Sequence, residues 1–241
     1  MNDAYTRRLA REAAQANLNQ FKGLWGHPPS GAELTADGFG DRGERLRAQG
    51  KVSITVQTTA EPMLPALLAA TPVSAGGGAD ASTKAADDLR AFADHAHRAG
   101  AKLDDLADVT ALCVKLLYEV HTSRVLTDRQ YASTVKLFTD FYLTDPMWTG
   151  LPDAGRQLAC EQAELAALRN WREYRHMVDV QIPKEIATYG YSTSLNLTTG
   201  WEAKRQLDGI FAFGGLKFDD YTLTEQGLVP RRANSRAAPA R

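Results

Sequence analysis

Between residues 84 and 179 apolar side chains recur every three or four positions, with charged residues between them. That interval gathers the apolar groups on one side of a 3.6-residue helix, so the pattern predicts consecutive amphipathic helices. The first covers about 84–99, with Leu89, Phe92 and Ala96 on one side and Gly100 placed to end it. The second covers about 104–122, where Leu106, Val109, Cys113, Leu116, Leu117 and Val120 share an arc of about 100°. The third opens at "TDRQ", 127–130. There Thr127 as N-cap and Gln130 three residues later form a capping box, and Tyr131, Val135, Phe138 and Tyr142 make the stripe. The fourth begins after Asp153 and runs to about 179, with Cys160, Ala167, Trp171, Tyr174 and Val178 facing inward. Long helices in sequence with short connectors pack antiparallel as a bundle.

On either side of these helices the periodicity weakens. Residues 4–22 read as a helix with a thin stripe of Leu9, Ala13, Ala16 and Gln20. Six glycines and two prolines between 23 and 43 predict a long irregular segment. "KVSITVQTT", 51–59, alternates with period two and is the one clear strand. After the short apolar piece "MLPALLAA" comes "TPVSAGGGADAST", whose three consecutive glycines read as a linker. Past Pro183 helical and strand tendencies mix; "GWEAKRQLDGIFAF" reads as a helix and "KFDDYTLTEQGLV" as a short strand and turn. The predicted fold is therefore mainly α, an antiparallel helical bundle preceded by an irregular N-terminal region with one short strand. Its divisions are 1–71 (N-terminal region), 72–83 (linker), 84–229 (bundle) and 230–241, a basic tail expected to be disordered.

Composition changes this picture little. Hydrophobic residues are 44% and charged ones 24% of the 241, ordinary for a globular chain with a sizeable core. With 28 basic and 29 acidic side chains the net charge is −1, so no global field favours nucleic acid or an anionic membrane. Only the four arginines among residues 231–241 suggest either partner, and no aromatics interleave them. Cys113 and Cys160 are too few for a disulfide framework and lie on apolar faces. No apolar run reaches the roughly 18 residues of a membrane span. The charged start "MNDAYTRRLAREAAQ" lacks an apolar signal core. As written the chain is expected to be cytoplasmic, or secreted or periplasmic if a signal precedes it.

The most suggestive chemistry is Glu173-Tyr-Arg-His176, the Glu-x-x-His spacing of di-iron bundles. Its place on the helix argues against a metal: Glu173 and His176 fall about 140° and 160° from Cys160, away from the apolar stripe. The remaining ligands that such a site requires have no counterpart either, since no second Glu-x-x-His occurs. His95 and His97, like Glu119 and His121, are two positions apart, about 200° around a helix, and cannot converge on one ion. "GGGADAST" has no Gly-Lys-Ser/Thr to cradle a phosphate, and no Gly-x-Ser-x-Gly elbow occurs. No cofactor or metal is expected. Aromatics around the third helix outnumber one stripe, and Phe141 and Trp148 are the candidates for an exposed partner surface. Gln157 and Glu161 flank the stripe of the fourth helix, suited to ordering a neighbouring loop.

From "KLDDLADVTALCVKLLYEVHTSRVLTDRQY" through "GRQLACEQAELAAL", and again in "LDGIFAFGGLKFDDYTLTEQGLV", the chain resembles an uncharacterised bacterial family catalogued only as a domain of unknown function. The resemblance covers about residues 100–230 and implies an all-helical module with no assigned activity or site residues. It also implies a family many of whose members start with a secretion signal. Scattered ionisable groups and broad apolar faces favour a non-catalytic binding or protein-interaction module. The alternatives are a hydrolytic enzyme using His27, Glu119, His121 and Glu161 between bundle and N-terminal loop, and a nucleic-acid or membrane-surface adaptor working through the basic tail.

Overall fold

Among the described residues the apolar periodicity builds a mainly helical fold with one two-stranded antiparallel sheet near the C-terminus. The structure, a computed structural model, describes residues 62–71, 73–144, 153–192, 197–212 and 216–231. The helix expected over 4–22, the strand over 51–59 and the tail beyond 231 lie outside these residues. In chain order the helices are α1 Met63–Ala70, α2 Ala79–Ala99, α3 Leu106–Thr122, α4 Asp128–Thr144, α5 Asp153–His176, α6 Ile182–Tyr189 and α7 Leu197–Ala212. The strands are β1 Tyr221–Thr224 and β2 Gly227–Pro230.

α3 is the hub. Asp105 caps it, its carboxylate accepting from the Ala107 N–H at 2.9 Å and the Asp108 N–H at 3.4 Å, which satisfies two donors of the open first turn. Ser123 ends the helix in the left-handed region (φ 55°), its N–H donating to Glu119 O. The six residues of the expected stripe are buried, but so are Ala107, Thr110, Ala111, Leu112 and Val114 on the other sides. The burial exceeds a single arc because α4, α5 and α7 all pack against this one helix.

The capping box of α4 forms as the residues predict. Thr127 N–H donates to Gln130 Oε1 at 2.9 Å, and Gln130 N–H to Thr127 Oγ1 at 3.2 Å. The Gln130 amide also donates to Leu223 O at 3.0 Å, and Ser133 Oγ to Thr224 O at 2.9 Å, which ties β1 to the start of α4. This second partner rotates the buried face of α4: Ser133, Thr134, Leu137, Phe138 and Phe141 are covered, while Tyr131 and Val135 are only partly so. In the hairpin Leu223 pairs with Leu228 and both point into the core. The rings of Phe138, Phe211 and Phe218 run through that core, with centroids 5.7 and 5.3 Å apart.

Two differences from the expected layout concern ends. Ala79–Thr83, expected as linker, form the first turn of α2. Small residues tolerate the helix, and the positive φ of Gly76 and Gly78 (83° and 102°) confines the turn to the glycines. α5 does not fade at 179 but widens into one π turn, Met177–Gln181, before α6. Pro183 has no N–H for the regular ladder, and Ile182 N–H reaches back five residues to Met177 O.

Candidate functional site

Glu173 and His176 are exposed on α5, opposite its buried Cys160, Ala167 and Tyr174. Among the described residues no group of three or more His, Cys, Asp or Glu side chains is placed to hold a metal ion. Of the residues proposed for hydrolysis, His27 lies outside the described residues and the others do not meet. Glu119 faces α5, where it accepts from Trp171 Nε1 at 2.9 Å and Arg175 at 3.3 Å. His121 points elsewhere on α3, its ring against Phe218 with centroids 6.0 Å apart. That separation follows from the two-residue spacing on one helix.

Glu161 has a different partner, one that no periodicity argument could name. Its two carboxylate oxygens accept the Met63 N–H at 2.9 Å and the Leu64 N–H at 2.6 Å, at the very start of α1. A carboxylate there satisfies two open donors and complements the positive end of the helix. Gln157, one turn earlier, donates to Glu161 Oε1 at 2.7 Å and fixes the carboxylate. Leu64 then enters a small cluster with Ala85, Leu89 and Leu165, apart from the main core. Glu161 therefore orders a neighbouring segment, as its flanking position on α5 allowed.

Beside it Glu164 is buried, and burial first, then the charge of Glu161, push its carboxyl up to about 8. It is a neutral acid at pH 7. Burial also raises the thiols of Cys113 and Cys160, so neither is an activated nucleophile. Asp88, buried on α2, is held by Arg169 Nε at 3.1 Å and by Arg172, and joins α2 to α5. Lys204 likewise pairs with Asp208 and Asp219 at 2.6 and 2.8 Å. The ring of His95 lies 5.1 Å from that of Trp171. Burial, helped by the charges of Arg98 and Lys115, lowers its pKa.

The partner surface expected at Phe141 needs correction. Phe141 is 4% exposed, its ring edge-on to Phe138 at 5.7 Å, because α4 buries the wider face described above. Trp148 lies outside the described residues. Among the described residues, several exposed apolar side chains gather on the arm that continues α5, besides single ones such as Val73, Val125 and Trp201 elsewhere. Met177–Gln181 and α6 contain no buried residue. Val180 and Ile186 are each 50% exposed, Tyr189 68% and Tyr191 64%. Sequence reading blurred here because a proline interrupts the periodicity. Ile186, Tyr189 and Tyr191, spaced past Pro183 without a core stripe to join, were the available signal.

Compared with protein-family models, with curated proteins and with solved structures, the chain matches none. The resemblance over about residues 100–230 therefore stands on its motifs alone.

Proposed function

We infer that this chain is a non-catalytic protein-interaction module whose contact surface is the 177–191 arm. The observation that carries the reading is an arm without buried residues that exposes Val180, Ile186, Tyr189 and Tyr191. Apolar side chains kept exposed together along one short segment favour a contact site over the single ones scattered on an ordinary surface. A short helix with aliphatic and aromatic anchors suits an apolar groove on another protein. The carboxylates support the same reading: Asp88, Glu119 and Glu161 are each engaged in joining one element to another. Hydrolysis finds less support, since Glu119, His121 and Glu161 are not brought to one place.

The test is capture from a lysate of the source cell, using tagged wild type beside a double variant, Ile186→Asp with Tyr189→Asp. A stoichiometric protein held by wild type and lost from the variant, at unchanged thermal stability, supports the reading. Equal capture by both moves the surface elsewhere. A wild type that holds no protein, but carries a metabolite or metal in native mass spectrometry, overturns the reading altogether.

A further inference from the structure

α1 sits on the bundle like a bound ligand. Its anchor, Leu64, belongs to a cluster with Ala85 and Leu89 of α2 and Leu165 of α5 that is separate from the main core. Its polar attachment is one carboxylate, Glu161, on two backbone N–H groups. Among the described residues α1 buries Leu64 and Pro65 and packs Leu68 on the same cluster, while Leu67 stays half exposed. A helix this short is marginal in water without its contacts, so α1 is held by this cradle and not by itself.

The turn that returns α1 to its own cradle is tight. Leu68 O accepts from Gly78 N–H at 2.8 Å and from Thr71 N–H at 3.1 Å. A Cβ on Gly77 would lie 2.2 Å from Thr71 O, a backbone atom that no side-chain rotation relieves. Only glycine permits the fold-back. A short hinge closing an otherwise independent contact is the arrangement from which neighbouring chains exchange elements.

We propose that the cradle formed by Ala85, Leu89, Glu161 and Leu165 is an exchange site that accepts α1 from a second copy of this chain, with the Gly77 turn deciding between fold-back and crossover. The occupant follows from identity: α1 of another copy carries the same Leu64 and the same two free N–H groups. In wild type the short tether gives the chain's own α1 a high local concentration, so the closed monomer prevails when dilute. Blocking the turn removes that advantage and leaves the cradle to a neighbour. This site is independent of the 177–191 arm, so either can fail without the other.

The experiment uses the full chain and light scattering after size exclusion, from micromolar to sub-millimolar concentration. Wild type is expected to be monomeric when dilute. Gly77→Ala is expected to give a dimer whose fraction rises with concentration and to lose it when Leu64→Asp or Glu161→Gln is added. A Gly77→Ala protein that is folded and monomeric throughout overturns the proposal, as does a dimer that survives Leu64→Asp. Should Gly77→Ala not fold, wild type warmed and recooled at high concentration supplies the second measurement. A dimer fraction that Leu64→Asp does not form supports exchange, and complete recovery of monomer overturns it.

Discussion

α3 and the 177–191 arm both carry aliphatic residues and tyrosine on helical backbone, leucine and valine in α3, valine and isoleucine in the arm, and put them to opposite use. α3 is enclosed by α4, α5 and α7 and buries residues around most of its girth. The arm opens with a π turn whose Met177 and Val178 lie partly buried against the core, and none of the residues of that turn or of α6 is fully buried. Apolar content therefore fixes neither stability nor contact; what decides is whether neighbours surround the helix. In one place the hydrophobic effect holds the fold together. In the other it remains unspent, available to a partner.

The largest expected effect lies at the enclosed end of this comparison. Phe138→Ala opens a cavity among Phe141, Tyr142 and Phe211 and should cost about 3–5 kcal/mol in urea unfolding. Ile186→Ala on the arm should stay within about 0.5 kcal/mol. Equal losses at the two positions would erase the distinction.

Next comes Glu164, the acid that burial and the charge of Glu161 keep protonated. Its folded-state pKa, about 8, lies above the 4.5 of an exposed glutamate. Between those values the folded chain holds a proton that the unfolded chain has released. Stability from this group is thus fully present below the lower value and declines as pH rises through the higher one. The span corresponds to at most about 5 kcal/mol, lessened wherever water reaches the ionised group. Glu164→Gln should flatten that decline, and the gain over wild type should be larger at pH 8.5 than at pH 5. A pH-independent difference between the two proteins would contradict the assignment.

Much of the bundle was legible in the sequence because a helix writes its interior face at a fixed interval. The stripes of α2 and α3, the Gly100 terminus and the Thr127–Gln130 box all follow from local spacing. What was illegible depends on a second element. Phe141 packs on Phe138 within the core, on an α4 whose start is tied at Gln130 and Ser133 to a hairpin some ninety residues later, and nothing near Phe141 announces that burial. Glu161 could be placed beside a core stripe, but its partners, Met63 and Leu64, are almost a hundred residues away. The exposed arm was hidden by Pro183, which breaks the interval on which such reading relies.

Smaller effects sharpen the picture at helix ends. Thr127→Ala removes one half of the capping box and should cost about 1 kcal/mol. Because Gln130 also holds Leu223 O, the hairpin amides should exchange faster in that variant. Ser123→Gly should stabilise by about 0.5–1 kcal/mol, since a non-glycine residue there occupies the left-handed region at φ 55°. A thermal shift of the opposite sign would mean that the Ser123 side chain contributes more than its backbone costs.

The measurement closest to the centre of this account is hydrogen exchange along the isolated chain. If the arm is surface reserved for a partner, amides of 177–189 should exchange orders of magnitude faster than those of α3, although both are helical. Protection of the arm equal to that of α3 would show it packed within the fold, and the interaction surface proposed for this protein would not exist.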